Sequence, residues 1–121
     1  MALGKTVPIL RMFDEAKAKE FYVDFLGFAV DWEHRFEDGT PLYMQVSRDG
    51  CVLQLSEHYG DSSPGAAVRI ETTDLEAFQR HLAEKKYKFA RPGPPQEMPW
   101  GTREVGIRDP FGNKLTFASR A

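Results

Sequence analysis

The chain has 121 residues, of which 41% are apolar and 28% charged, and this composition predicts one soluble globular domain. Its 16 basic and 18 acidic residues give a net charge of -2, which argues against a nucleic-acid partner because phosphates attract a basic surface. No run is apolar and long enough to span a membrane, and the first residues lack a secretory signal, so we expect a cytoplasmic protein without membrane contact. The single cysteine, Cys51, excludes an internal disulfide framework.

The first elements in chain order are a strand and a helix. Val7–Arg11 is a short apolar run typical of a strand, and Pro8 places that strand at a sheet edge because proline lacks an N–H donor. Asp14 is the predicted N-cap of an amphipathic helix over Glu15–Phe25. Gly27 follows the helix as a residue that tolerates the left-handed conformation of a helix end.

Three further strands complete the first half. Phe28–Phe36 is the first of them, and Leu42–Ser47 alternates apolar and polar side chains with the period of a strand. Asp49-Gly50 is a hairpin signal, and it leads into a predicted strand at Val52–Glu57. The first half therefore predicts the order strand, helix, strand, strand, strand.

The second half predicts the same order of elements. Ala66–Thr72 is a predicted strand, and Thr73 with Glu76 has the spacing of a capping box before an amphipathic helix. The remaining predicted elements are strands at Phe89–Ala90, Arg103–Arg108 and Lys114–Ser119, with a turn at Asp109–Gly112 before the last strand.

Short motifs in both halves carry a resemblance to a known superfamily. Val7-Pro-Ile-Leu10, Phe21-Tyr22 and Leu26-Gly-Phe28 resemble the first module of the vicinal oxygen chelate superfamily. Pro99-Trp-Gly101 followed by Arg108-Asp-Pro-Phe-Gly-Asn113 resembles its second module. Within this superfamily, which includes glyoxalases and dioxygenases, the chain is most similar to the bleomycin resistance protein family.

The resemblance implies an α+β fold in which paired βαβββ modules form a cupped mixed sheet with helices on its outer face. It places one domain over residues 1–121, with modules at 5–57 and 65–119. It also implies a homodimer whose clefts bind planar, cationic glycopeptide drugs without changing them.

Metal enzymes of this superfamily hold their ion with residues on four inner strands. Carried over by resemblance, those positions fall on Val7, Gln54, Ala67 and Thr116. Valine and alanine have no donor atom, and threonine and glutamine are weak ligands for a divalent transition metal. We therefore expect no metal, no cofactor and no catalytic residue.

Period-two alternation assigns side chains to the inner face of the cup. On this basis Tyr43, Gln54, Ser56, Arg69 and Thr116 face a bound ligand. A cationic side chain at Arg69 would repel a cationic drug unless Glu71 pairs with it. These side chains suit a ligand held by stacking and hydrogen bonds.

Trp100 is the strongest predicted ligand-binding residue, because an indole in a proline-rich loop is costly to expose unless something covers it. Trp32 and Phe36 are the next candidates, although both share a face with Val30 and are equally consistent with sheet core. His58 ends the strand that carries Gln54 and is predicted to reach the mouth of the cup.

Three functions remain open at this point. The first is a homodimeric protein that sequesters bleomycin-type antibiotics and so confers resistance. The second is a metal-dependent glyoxalase or dioxygenase, which the four metal positions disfavour. The third is a protein-interaction domain or a binder of another small metabolite; the mild net charge and Arg69 leave a neutral or anionic ligand open.

Overall fold

The computed structural model describes residues 1–120, so Ala121, the last residue of the predicted domain, lies outside the described part. The first half forms a four-stranded mixed sheet in the order β1-β4-β3-β2, with β1 parallel to β4 at one edge. A helix that begins as α and continues as a π-helix connects β1 to β2. The bounds are β1 Ile9–Arg11, α1 Glu15–Lys19, the π-helical segment Glu20–Phe25, β2 Ala29–His34, β3 Tyr43–Arg48 and β4 Cys51–Ser56.

The second half forms another four-stranded mixed sheet in the order β5-β8-β7-β6, again with a parallel pair at one edge. The predicted α+β fold is therefore confirmed. Within residues 1–120, no helix has both the length and the apolar character that crossing a bilayer requires. The bounds are β5 Ala67–Glu71, α2 Leu75–Glu84, β6 Gln96–Glu97, β7 Thr102–Arg108 and β8 Lys114–Arg120.

Several predicted turns and caps are confirmed. The Asp14 carboxylate accepts a hydrogen bond from the backbone N–H of Lys17 at 2.9 Å, which caps the first helix. Gly27 has a φ of +78°, a left-handed conformation that glycine adopts without strain, as the predicted helix end requires. Asp49 and Gly50 both have positive φ, as the predicted β3–β4 hairpin requires.

A buried polar cluster joins the two halves. The Asp109 carboxylate accepts from the Tyr22 hydroxyl at 2.7 Å and from the Asn113 side-chain amide at 2.8 Å, and the Asn113 amide also donates to the carbonyl of Arg11 at 2.9 Å. Burial, followed by the nearby Asp109 charge, raises the pKa of Tyr22, which therefore remains a hydrogen-bond donor. The Asp109–Gly112 turn thus also fixes how the first helix packs on the second half.

Three local predictions are wrong. The predicted capping box is absent, because α2 begins after Asp74 in a left-handed conformation and Glu76 forms an ion pair with Arg103 instead. Phe89–Ala90 is not a strand, since the Ala90 N–H closes a turn with the Tyr87 carbonyl; the short strand of this region is β6. The first strand begins at Ile9, two residues later than predicted, although it lies at a sheet edge as expected.

Candidate functional site

Each sheet packs one face against the core and leaves the other open. We call the open side of β1–β4 the first face; it carries Trp32, Tyr43 and Gln54. We call the open side of β5–β8, together with the loop before β7, the second face; it carries Arg69, Trp100, Glu104 and Thr116. The predicted ligand-binding residues lie on these faces or at their ends, except Ser56, which is buried.

A β-bulge decides the position of Trp32. Val30 pairs with Val46, but the next paired residue is Trp32, opposite Gln45, so Asp31 is the extra residue of the bulge. The bulge moves Trp32 off the face of Val30 and onto the first face. There its indole stacks on the ring of Tyr43, with centroids 5.8 Å apart and planes 6° from parallel.

A ladder of side-chain hydrogen bonds crosses the first face. The Tyr43 hydroxyl donates to Gln54 Oε1, Gln54 Nε2 donates to Gln45 Oε1 at 3.0 Å, and Gln45 Nε2 donates to Asp31 Oδ2 at 3.0 Å. The other oxygen of Asp31 accepts from the Ser47 hydroxyl at 2.9 Å. Because each amide is oriented by its neighbour, the face offers a ligand a fixed pattern of donors and acceptors.

Phe36 and His58 form the outer end of the first face, next to His34. The ring of Phe36 is 75% exposed and meets His34 and His58 edge to face, with centroid distances of 4.8 and 5.8 Å. Ser56, in contrast, is fully buried, so its predicted exposure to a ligand is wrong. Its hydroxyl donates to Asp61 at 2.6 Å and accepts from the His58 N–H at 3.0 Å. The loop after β4, which contains both residues, therefore covers the Ser56 side chain.

On the second face, three donors converge on one oxygen of Glu104. Arg69 Nη2 lies 2.5 Å from Oε2, the Thr102 hydroxyl 2.7 Å and the Trp100 indole N–H 3.0 Å. The hydrogen bonds from Arg69 and then from Thr102, which favour the charged form, lower the pKa of Glu104 to about 2. The partner of Arg69 is therefore Glu104 rather than Glu71.

Trp100 lies in the loop before β7 and is 64% exposed. The hydrogen bond to Glu104 fixes the edge of the indole, while the ring itself remains largely uncovered. Beside it, a groove of about 370 Å³ runs over the second face, lined by Gln96, Met98, Glu104 and Thr116. The arrangement provides a stacking surface next to a polar groove.

The four positions implied for a metal do not form a donor set. Val7 and Ala67 have no ligand atom, the Gln54 amide is engaged in the first-face ladder, and Thr116 offers one hydroxyl. Among residues 1–120, no group of three or more His, Cys, Asp or Glu side chains is placed to hold a metal ion. Burial raises the pKa of the Cys51 thiol, which disfavours the nucleophilic thiolate.

Within one chain, the two faces are separate surfaces. No hydrogen bond, ion pair or ring contact among residues 1–120 joins the first face to the second. The contacts between the halves lie on the helical side instead, such as Tyr22 with Asp109, and Lys85 Nζ with the carbonyl of Phe25 at 2.6 Å.

Comparison with known families agrees with the fold. The family model described as "Glyoxalase superfamily protein" matches residues 1–121, and the chain belongs to this superfamily. This confirms the superfamily inferred from the Pro-Trp-Gly and Asp-Pro-Phe-Gly-Asn motifs. No curated protein matches the sequence.

Solved structures similar to this chain include antibiotic-binding proteins. TnmS3, an antibiotic binding protein from Streptomyces sp. CB03234, is 26% identical, with 100% of this chain and 99% of TnmS3 covered and a TM-score of 0.80. The bleomycin-binding protein from bleomycin-producing Streptomyces verticillus, solved with copper(II)-bleomycin, is 28% identical, with coverage of 100% and 99% and a TM-score of 0.74. The bleomycin resistance determinant encoded on transposon Tn5, at 20% identity, 98% coverage of both chains and a TM-score of 0.73, shows the fold alone.

Two features of these faces escaped prediction. Asp31 and its bulge leave no mark in the alternation of β2, which reads equally well as a continuous strand. The position of Glu104 on the second face could have been predicted from the sequence. Val105 and Ile107 are core residues of β7, so alternation places Glu104 on the opposite side of the strand from Val105.

Proposed function

We propose that this chain is a non-catalytic binding protein that sequesters a bleomycin-type glycopeptide antibiotic and so confers resistance. The observation that carries the proposal is Trp100, an exposed indole whose edge is fixed by Glu104 and whose ring is left free. A preorganised ring loses little freedom on binding, so more of the stacking energy appears as affinity. The family relationship and the antibiotic-binding relatives support the same function.

The ligand contacts are aromatic and hydrogen-bonding. Trp100 provides a stacking surface on the second face, and Trp32 on Tyr43, with Phe36 nearby, provides another on the first. A buried aromatic ring removes roughly 150–250 Å² from water, which makes such side chains dominant in binding. The ladder through Gln54 then orients polar groups of the drug.

The binding unit we propose is a homodimer, in which the first face of one protomer and the second face of its partner form each cleft. The separation of the two faces within one chain supports this arrangement, because neither face alone encloses a ligand. A symmetric dimer would contain two such clefts. Resistance then follows by mass action: bound drug is withheld from its target, and no bond is broken.

The charge distribution is compatible with a cationic drug. Glu104 neutralises Arg69, which removes the repulsion expected at the second face. On the first face the Asp31 carboxylate accepts hydrogen bonds from neutral donors, Gln45 and Ser47, and among residues 1–120 no cationic side chain pairs with it. Asp31 therefore offers an electrostatic attraction for a cationic group.

The test is a titration with metal-free bleomycin, followed by tryptophan fluorescence and calorimetry. We expect saturable quenching in the wild type, binding about 30-fold weaker or worse in Trp100→Ala, as expected for an interface hot spot, and no change in Phe89→Ala. Phe89 is a matched control, since its ring is also exposed but lies on the helical side of the molecule. Mass spectrometry of the recovered drug should show it unmodified.

Two results would contradict the proposal. No binding of bleomycin at high micromolar concentration excludes this drug as the ligand. A chemically altered drug, recovered after incubation with the wild type but not with Trp100→Ala, excludes a purely sequestering role.

A further inference from the structure

Glu104 is an unusual residue on the second face, because it is a carboxylate that is only 7% exposed. Its two oxygens have different roles. Oε2 accepts all three hydrogen bonds, from Arg69, Thr102 and Trp100. Among residues 1–120, no side chain or backbone group donates to Oε1, and Glu104 lines the groove beside Trp100.

The shared acceptor couples Trp100 to Arg69. The indole N–H and the guanidinium meet at the same oxygen, so the Trp100 ring is oriented by an anchored carboxylate rather than by packing. The guanidinium already balances the charge of this carboxylate. A second cation at Oε1 would be repelled by Arg69, whereas a neutral N–H or O–H donor would not.

We propose that Glu104 is a positioning and specificity-determining residue of the ligand site: it holds the Trp100 indole for stacking and accepts a hydrogen bond from a neutral donor on the edge of the stacked ring. The ligand class is a planar aromatic group that carries an amide, amine-type N–H or hydroxyl donor without a charge. This inference rests on the proposed function, since it concerns the same site. It adds a role for a residue that alternation alone does not single out as a ligand contact.

The positioning role is tested in the free protein. We would record the indole N–H resonances of Trp100 in ¹⁵N-labelled wild type, Glu104→Gln and Glu104→Met, with Trp32→Phe for assignment. Glutamine retains an acceptor of the same shape, and methionine has similar length without one. We expect the Trp100 signal to stay downfield and slow to exchange in the wild type and Glu104→Gln, and to move upfield and exchange faster in Glu104→Met.

The specificity role is tested with two planar probes, 2-naphthol and 2-methoxynaphthalene, which differ in one O–H donor. We expect the wild type to bind 2-naphthol about tenfold more tightly, as one hydrogen bond to a charged group would give. The preference should shrink in Glu104→Gln and disappear in Glu104→Met. Glu71→Gln, which removes a carboxylate from the same sheet without touching Trp100, should keep it.

The outcomes separate this inference from the proposed function. An unchanged Trp100 resonance in Glu104→Met overturns the positioning role, and an unchanged preference for 2-naphthol in that variant overturns the specificity role. If the wild type binds neither probe, donor recognition is overturned. If it binds the probes but not bleomycin, the drug assignment fails while donor recognition by Glu104 is retained.

Discussion

The first and second faces have the same strand order but different chemistry. On the first face, Trp32 is held by stacking on Tyr43, and the Tyr43 hydroxyl begins a ladder of hydrogen bonds between neutral side chains that ends at the Asp31 carboxylate. On the second face, Trp100 is held by a charged hydrogen-bond centre at Glu104. The fold thus determines which positions are open, while individual side chains decide how an aromatic ring is presented at each.

Both faces rest on one core, which the buried cluster around Asp109 joins. The largest loss in the free energy of unfolding should therefore come from removing the Asp109 carboxylate. Asp109→Ala leaves the Tyr22 hydroxyl, the Asn113 amide and two backbone N–H groups without their acceptor. Loss of a buried carboxylate with several partners should cost about 3–5 kcal/mol of the free energy of unfolding. Urea denaturation measures this loss, with Glu84→Ala on the surface of α2 as a control expected to change little. A loss near zero for Asp109→Ala would show that the buried polar cluster does not help to hold the halves together.

A smaller effect is expected on the first face alone. Tyr43→Phe removes the donor at the start of the ladder and leaves Gln54 Oε1 without that partner, while the ring stacked on Trp32 is retained. We expect a loss of about 1 kcal/mol in urea denaturation, the usual net value of one hydrogen bond. Tyr59→Phe, at an almost fully exposed tyrosine, is the matched control and should be neutral. Equal effects of the two changes would mean that the ladder contributes nothing.

The smallest effect we expect is a pH dependence of the free energy of unfolding. It should arise from Glu104 on the second face and not from Tyr43 on the first. The pKa of Glu104 is lowered from 4.5 to about 2, so its stabilising contribution is fully present above pH 4.5 and is lost as the pH falls toward 2. The difference in urea midpoint between the wild type and Glu104→Gln should be constant above pH 5 and shrink between pH 4.5 and 2. The corresponding difference for Tyr43→Phe should not depend on pH in this range. A Glu104→Gln difference that changes between pH 5 and 7 would contradict the assigned ion pair.

Local signals predicted most of the fold. Asp14, Gly27 and Asp49-Gly50 mark a cap, a helix end and a hairpin through backbone requirements that few other residues meet. The Thr73 capping box failed because Glu76 has a stronger partner, Arg103, that is distant in sequence.

The candidate site was less accessible to prediction because its details are tertiary. Trp32 could be placed only after the bulge at Asp31 was known, and bulges have no side-chain period. Ser56 has the expected parity, but Asp61 folds over it from the following loop. Alternation identifies which positions are open; it does not show which of them another segment covers.

The central claim is that the two faces act together across two chains, and mixing two defective variants tests it directly. One variant, Trp32→Ala/Phe36→Ala, lacks the rings of the first face, and the other, Trp100→Ala, lacks the ring of the second. Each alone should bind bleomycin weakly. Refolded together in equal amounts, they should regain tight sites at about a quarter of the wild-type number, because half of the dimers are mixed and each has one intact cleft. A mixture that binds no better than the average of the two variants would show that the faces do not combine across chains.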